Sequence, residues 1–577
     1  MSLVGIKFNV INIIISTFIF GLGDDYSIFI MDGLLTEYKY GKKTLSSYKT
    51  SILLSALTTI IGIGVMVFAK HPALQSIALI TIVGMICVVL VSFIIQPFLF
   101  NWLVLNRRYR GLLPYTFKSL SITVLGIAGL VIISPIVNLI GFFIITLYPG
   151  NLVQRKLAFH KLIVGTMKWA LAMFFNVKKK IINEHSEDFS SPALIIANHQ
   201  SHIDLALTLQ LHPKIIVFTK DYNYHSPFYG WIIRMADYYP SSLGYEKGFD
   251  KLEAMVKQGY SVLVFPEGTR SIDTEIHRFH KGAFLLAERL NLDILPILLH
   301  GSGDTVTKND FHIKDGALTV KYLPRIKQTD LSFGATYQER TKGICNYMRT
   351  EYDKLREECE PVEYFRSRLI NNYIYKGPVL EWYCRIKTAL EGNYKLFESL
   401  MPKQGKIVDV GCGYGFLPYM LMYRGRKREV LGLDYDDEKI EMAKNCAHKT
   451  DRINFETADV TTYEFPHADG FIISDVLHYL EPDQQINVVQ KLAEKINKNG
   501  VLLIRDADAD LKARQAGTAY TEFVSTNVGF NKTKSSGLHF VSGKLIKDTI
   551  AKFPHLTLEV IDNTKLTSNI IYVVRNP

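Results

Sequence analysis

Along roughly the first 150 residues apolar positions run almost without interruption. Beyond them they fall into short runs broken by charge and glycine. Three apolar segments, at roughly 9–34, 50–69 and 74–103, are each long enough to span a bilayer, which takes about 20 residues. Loop charge orients them. Lys39, Lys42, Lys43 and Lys49 put the first loop in the cytoplasm, the short "AKHPALQ" falls outside, and Arg107, Arg108 and Arg110 lie inside again. The start of the chain is therefore expected outside the cytoplasm. A fourth apolar run, about 119–147, raises a parity problem, because a single crossing would carry everything after it out. Pro135, preceded by Ser134, sits near its middle, and proline there breaks or kinks a helix. The run reads as two half-helices that dip in and return, with a single tilted span as the rival.

Composition changes this picture little. At 577 residues more than one domain is expected. The net charge of +11, from 66 Lys+Arg against 55 Asp+Glu, suits an anionic membrane leaflet better than nucleic acid. Cys87, Cys345, Cys359, Cys384, Cys412 and Cys446 form no CxxC pair and read as reduced thiols, not a disulfide frame or a metal site. The N-terminus lacks the basic region and cleavage site of a signal peptide.

Inside the first apolar segment, "IFGLGDDYSIFIMDGLL" places Asp24 and Asp25 where a bilayer core should be. An ionisable residue in a membrane helix is by default a functional-site hypothesis, often a proton relay; the plainer reading is a hydrogen bond within the bundle. The pattern resembles the proton-carrying helix of the resistance-nodulation-division exporters and their mycobacterial membrane lipid-exporter relatives, over about residues 1–110 only. That resemblance implies a proton site at Asp24 and Asp25. It also implies either a piece of a longer or split exporter, with a separate exporter half as partner, or helices that now serve as an anchor.

From about 150 the character is that of an α/β domain. "PALIIANHQSHIDLALTL" reads as buried strand, turn and helix. An acidic partner fixes the tautomer of an imidazole and stabilises the imidazolium formed when it takes a proton. His199 and Asp204 are so spaced, while Ser201 and Asp204 also fit a capping box. His202 reads as a surface residue. Downstream, "GYSVLVFPEGTRS" ends a strand in Glu267, Gly268, Thr269 and Arg270, where glycine lets backbone approach an anion and arginine offers a planar fork for phosphate. "NHQSHID" and "FPEGTR", with "RFHKGAF", "DILPILL" and "TKDYNYHSPFYGW", resemble the blocks of the glycerolphosphate and lysophosphatidate acyltransferase superfamily. The resemblance implies acyl transfer from acyl-CoA or acyl carrier protein to a lipid hydroxyl, with His199 as general base, Asp204 orienting it, and Glu267, Gly268, Thr269 and Arg270 holding the acceptor or its phosphate. Members often begin with a membrane-embedded hairpin. One departure is that "MADYYPSSLG" lacks the arginine the family's second block usually supplies, so a polyketide or other lipid hydroxyl stands beside a glycerol phosphate as acceptor.

Near the C-terminus "GKIVDVGCGYGFLPYML" gives a strand, a glycine turn and a helix, a place where backbone lies close to a ligand. The spacing is Gly411-x-Gly413-x-Gly415, led by Asp409. Asp434 ends the next strand and Asp459 follows the third. The set resembles class I S-adenosylmethionine-dependent methyltransferases. It implies that Asp409, Gly411, Gly413 and Gly415 cradle the cofactor, that Asp434 meets its ribose and that Asp459 meets its adenine. Asp475 and His478 are candidates for the acceptor side.

The expected organisation is multidomain. A three-helix transmembrane bundle (1–110) leads to a re-entrant hairpin or single span (111–150), then an α/β acyltransferase domain (151–335) and a helical linker (336–362). A Rossmann-like class I methyltransferase domain (363–577) closes the chain. The expected function is a bifunctional enzyme of the cytoplasmic membrane with both enzyme domains inside, acting on a membrane lipid; the alternative is the C-terminal part of a proton-driven lipid exporter with attached tailoring enzymes.

Overall fold

The computed structural model describes residues 10–219, 221–227, 229–240, 249–511, 514, 539–563 and 568–577. They form two compact units, Met1–Pro114 together with Pro361–Pro577, and Tyr115–Glu360.

The first unit opens with helices α1 (Val10–Tyr40), α2 (Leu45–Gly64) and α3 (Pro72–Tyr109). All three are long and apolar enough to cross a membrane. Away from water a helix is favoured because it satisfies its own backbone groups. α3 widens into looser turns at Val91–Ile95 and Asn101–Leu105, on either side of Pro97, whose missing N–H explains the local change. Here Gln96 Nε2 donates to Ser27 O of α1 at 2.8 Å.

The C-terminal part of this unit is built on a seven-stranded sheet of β8 (Gln404–Val410), β9 (Lys427–Asp434), β10 (Ile453–Thr457), β11 (Ala468–Ser474), β12 (Ile496–Ala507), β13 (Thr557–Ile561) and β14 (Asn569–Arg575). The order is β10-β9-β8-β11-β12-β14-β13, parallel except for β14 against β12 and β13. The chain moves outward from β8 to β10 and then restarts on the other side at β11. A crevice therefore opens at the C-terminal ends of β8 and β11, the usual ligand position in such sheets.

The second unit carries a mixed sheet of β1 (Val177–Ile182), β2 (Ala193–Ala197), β3 (Ile215–Thr219), β4 (Tyr239–Pro240), β5 (Ser261–Val264), β6 (Asp293–His300) and β7 (Gly316–Tyr322), in the order β1-β7-β6-β2-β5-β3-β4. β2 is buried at every position and lies between β5 and β6.

Two expectations are corrected in this unit. First, the run around Pro135 is not two half-helices. It is one helix, α4 (Phe117–Leu147), with Pro135 inside it. Continuing past a proline costs about 3 kcal/mol, whereas a break would orphan up to four backbone groups on each side, each at several kcal/mol away from water. The hairpin is made instead by α4 and α5 (Leu152–Ala172), turning at 148–151. α4 also lies against its own unit from end to end. Lys118 pairs with Asp315 at 3.1 Å, Thr123 Oγ1 accepts the Ile313 N–H at 3.2 Å, and a side chain at Gly141 would strike Phe159. The other face of α4 stays apolar and exposed, as at Leu125, Ile132 and Leu139.

Second, the stretch read as a linker is the helix Tyr337–Cys359, a structural member of the unit. Ile344, Met348, Tyr352 and Leu355 form a buried stripe at helical spacing.

Candidate active sites

Where β2 ends, Asn198 exchanges two hydrogen bonds with Leu299 of β6, at 2.9 and 2.8 Å, and so fixes the turn that carries His199. Asp204 opens the short helix α6 (Asp204–Leu209) and is fully buried. Its Oδ2 lies 2.9 Å from His199 Nδ1 and accepts the Gln200 and Ser201 N–H groups at 2.6 and 2.7 Å. Only half of the expected capping box forms, because Ser201 Oγ donates to Val306 O at 2.7 Å instead of capping α6. With the Nδ1 proton held by Asp204, Nε2 is the basic nitrogen of a ring stacked on Phe265 at 4.3 Å.

Glu267 is bonded to two backbone amides. Its Oε1 accepts the His199 N–H and its Oε2 the His277 N–H, each at 2.9 Å. Burial raises its pKa, and the two amides work against that rise. The carboxylate thus holds two loops together, a positioning arrangement. At Gly268 φ is +68° and a Cβ would sit 3.1 Å from the His280 ring, so only glycine fits without strain. Thr269 is exposed. Arg270 has a buried Nη1 with no hydrogen-bond partner among the described residues. Lys308, which no motif pointed to, donates to Arg270 O at 2.6 Å and sets a second cation beside this loop. His202 stacks on Phe311; burial and then Arg270 lower its pKa. Part of "MADYYPSSLG", and Lys220 and Phe228 of the stretch before it, lie outside the described residues.

In the C-terminal sheet, the N–H groups of Gly411 and Cys412 both donate to Leu433 O, at 2.7 and 2.9 Å, which folds the loop back over β9. Gly413 has φ +56° and no atom within 4 Å of where a Cβ would be, so its backbone faces open space. Its N–H donates to Asp434 Oδ2 at 2.7 Å, and Asp434 Oδ1 accepts the Asp436 N–H at 3.0 Å. A carboxylate has about four lone-pair sites, so Asp434 keeps capacity for ribose hydroxyls. Gly415 starts the helix Phe416–Arg424 tight against Phe455 and serves packing. Asp409 is buried at the end of β8; burial pushes its carboxyl up to about 7, opposed by Lys387 and reinforced by Asp434. Asp459 follows β10 beside Asp434, exposed, with its Oδ1 accepting from Thr461 N and Oγ1 at 3.1 and 2.7 Å. A diol, an adenine and a sulfonium cation fit this acidic, open-backed crevice; among the described residues no cluster of three metal-ligating side chains occurs.

Of the two acceptor-side candidates, Asp475 is half-buried at φ +58° directly after β11 and paired with Arg505. Burial raises its pKa, but Arg505, then His478 and Lys387, outweigh that and lower it. His478 is buried and bonded through Nδ1 to Asp506 at 2.6 Å. Lys387, Tyr383 and Arg505 come to this crevice from distant parts of the chain, and no local pattern announces them.

Asp24 lines a cavity of about 430 Å³ between α1 and α3, with Ser16, Ser27 and Ser92. Among the described residues neither Asp24 nor Asp25 has a hydrogen-bond or ion-pair partner.

Family models match each of these three parts: one described as MMPL family over residues 2–103, one as Acyltransferase over 176–300, and one as Methyltransferase domain over 407–500. The chain joins an MMPL-family segment, an acyltransferase domain and a methyltransferase domain. The acyltransferase domain is similar to the 1-acyl-sn-glycerol-3-phosphate acyltransferase of Cocos nucifera, 31% identical over 26% of this chain and 50% of that one. It is also similar to the enzyme of the same name from Limnanthes douglasii, 28% identical over 33% of this chain and 68% of that one. The methyltransferase domain is similar to the carboxy-S-adenosyl-L-methionine synthase of Campylobacter concisus, 30% identical over 20% of this chain and 49% of that one. The chain spans half or less of the first curated relatives it matches.

Proposed function

We propose that this protein is a membrane-bound bifunctional enzyme that acylates a lipid hydroxyl and methylates a lipid. The observation that carries the first half is the His199–Asp204 pair, fixed by three donors on one carboxylate oxygen and set beside the Gly268–Arg270 loop. His199 Nε2 takes the proton of the acceptor hydroxyl as that oxygen attacks the carbonyl carbon of an acyl-CoA or acyl carrier protein thioester. The C–S bond breaks, and the imidazolium returns its proton to the leaving thiolate. Asp204 stabilises the imidazolium in between, and Glu267 keeps the His199 backbone in place. Arg270 and Lys308 supply positive charge for an acceptor phosphate. The test is acyl transfer from labelled thioester in isolated membranes. General-base catalysis contributes about 100- to 10,000-fold, so His199→Ala should fall by that order, and a near-normal rate in the variant would refute the assignment.

In the methyltransferase domain, S-adenosylmethionine, when bound, supplies an electrophilic methyl group. Asp434 and Asp459 bind its ribose and adenine, Asp409 faces its charge, and Gly411 and Gly413 let the backbone approach. Both domains work on the cytoplasmic side of an inner membrane, where thioesters and the methyl donor are found. α4 and α5 bed in that leaflet by their exposed apolar face without crossing.

A second reading is favoured by Asp24, a carboxylate on a cavity in an apolar bundle with no partner among the described residues. The bundle then conducts protons for a lipid exporter completed by a separate half. Asp24→Asn abolishing lipid export while both transferase activities persist would support it; unchanged export would reject it.

A further inference from the structure

Helix α7 (Pro378–Leu390) of the methyltransferase domain has one face that the proposed reaction leaves unused. Val379, Trp382, Ile386 and Leu390 recur at spacings of three and four residues and therefore form one stripe. They are exposed by 58, 66, 51 and 80%. On the opposite side Leu380 and Cys384 are buried in the domain core. A continuous apolar stripe of this kind on a soluble surface marks an interaction site.

Its position in the fold says with what. α7 starts at the end of the membrane bundle. Lys376, two residues before it, is buried with Nζ 4.9 Å over the ring of Tyr38 in the last turn of α1, and donates to Asn445 O at 2.9 Å. Arg108, in the last turn of α3, donates to Tyr38 O at 2.7 Å and reaches Asn445 Oδ1 at 3.3 Å. The stripe thus begins where two membrane-length helices end. Its chemistry suits the same level: a tryptophan, favoured at membrane–water interfaces, with exposed Arg385 on its flank and Lys42 and Lys43 exposed on the neighbouring α1–α2 loop. Basic residues so placed attract anionic headgroups at about 1 kcal/mol each.

The stripe's other flank faces inward. Tyr383 packs its ring 6.4 Å from Tyr414 of the glycine loop and 5.7 Å from Phe416. Lys387 lies 5.7 Å over the Tyr383 ring. One helix therefore carries an apolar stripe and, on the adjoining face, residues of the cofactor crevice.

We propose that α7 lies in the membrane interface with Val379, Trp382, Ile386 and Leu390 among the acyl chains, and forms the wall between bilayer and cofactor crevice, so that the methyl acceptor is a lipid presented from the bilayer. The inference rests on the methyltransferase reading for the acceptor, and on geometry alone for the helix.

The test uses the full chain in phosphatidylglycerol/phosphatidylethanolamine vesicles, in a Cys87→Ser background because Cys87 is exposed. Nitroxide labels at Trp382→Cys and Ile386→Cys are compared with Leu54→Cys in the bundle and Lys552→Cys at an exposed position after the helix Gly543–Ile550, by collision with oxygen and with a water-soluble nickel complex. Oxygen collisions matching Leu54→Cys, with nickel collisions at least fivefold below Lys552→Cys, are expected. Nickel collisions equal to Lys552→Cys would overturn the proposal, and so would low collisions with both reagents, which mean a protein cover. In a second arm, Trp382→Glu with Ile386→Glu should lower transfer of labelled methyl into extractable lipid at least tenfold while calorimetric binding of S-adenosylmethionine stays unchanged. Unchanged lipid methylation would overturn the role of α7 in presenting the acceptor, and no label in extractable lipid from the unaltered protein, with S-adenosylmethionine bound, would overturn the lipid-acceptor clause. Loss of cofactor binding in the unaltered protein would instead refute the methyltransferase reading, and the collision data would still decide the helix.

Discussion

Glu267 and His199 are joined through the backbone: the glutamate Oε1 accepts the histidine N–H at 2.9 Å, although the two stand 68 residues apart in the chain. The other oxygen holds the His277 N–H, so a single carboxylate ties the loops after β2 and β5 into one rigid edge. Replacing it leaves two amides unpaired in a buried place. Each orphaned group costs about 1–3 kcal/mol, so Glu267→Ala should lower the melting temperature of the full protein and reduce kcat for acyl transfer, with little change in acceptor KM. Glu267→Gln keeps an acceptor for only one of the two amides and should fall between. A raised KM with normal kcat in either variant would return Glu267 to acceptor binding.

Asp204→Asn tests the orientation of the base. The amide can turn only one acceptor oxygen towards the three groups now gathered on Oδ2. With that oxygen in the place of Oδ2 its NH₂ takes the place of Oδ1, which has no hydrogen-bond partner among the described residues, and the negative charge that stabilises the imidazolium is gone. The expected outcome is a loss of kcat of about 100-fold or more at unchanged thioester KM, read from initial rates.

These parts of the site were legible because each is carried by a contiguous motif. "NHQSHID" places a base and its partner on one turn, and "VDVGCGYG" places a glycine loop after a strand. The partners of those motifs were not legible. Lys308, Lys387 and Arg505 reach their sites only through tertiary packing, and nothing near them in sequence says so. Two misreadings have the same root. Pro135 has the local effect of a helix breaker, but its surroundings make a broken helix costlier than a missing bond. The helix Tyr337–Cys359 is so charged that its composition masks the buried stripe of Ile344, Met348, Tyr352 and Leu355.

Arg270 and Lys308 should act on acceptor binding. Charged hydrogen bonds contribute about 1.5–3 kcal/mol, so Arg270→Ala or Lys308→Ala should raise KM for a phosphate-bearing acceptor roughly tenfold or more. An acceptor without phosphate should be little affected. Equal effects on both kinds of acceptor in kinetic assays would show that the two cations do not read a phosphate.

Asp409 gives the cofactor site a pH dependence of defined sign. Its carboxyl is pushed up to about 7 by burial, well above the ordinary range. In the window between the unfolded value near 4 and 7, the folded domain holds a proton that the unfolded chain has released. This group's contribution therefore favours the folded state at the acid end of the window and declines as pH rises through 7. A sulfonium cation prefers the ionised carboxylate, so binding of S-adenosylmethionine should release a proton and tighten about tenfold from pH 6 to pH 8. Calorimetry in buffers of different ionisation enthalpy measures the released proton directly. Asp409→Asn should bind weakly and without that dependence; an Asn variant with the same slope would assign the titration elsewhere.

Membrane topology is the last consequence, and it follows from α4. A helix of 31 residues is about 46 Å long and by length alone would cross a hydrocarbon core of about 30 Å. It is held along its own unit from Lys118 to Gly141, however, and a crossing would drag Asp315, Ile313 and the α/β body beside them into the bilayer. At the turn, Arg155 donates to Ile145 O and Thr146 O at 3.2 and 3.0 Å and caps the end of α4 with a charge that belongs at an interface. Residues before α4 and after the turn should therefore lie on one side. With Cys87 replaced by serine, Arg110→Cys and Asn151→Cys should both resist a membrane-impermeant maleimide in intact cells and both react once the membrane is opened. Labelling of Asn151→Cys alone in intact cells would mean that α4 crosses after all, and that the acylation site lies across the membrane from its thioester donor.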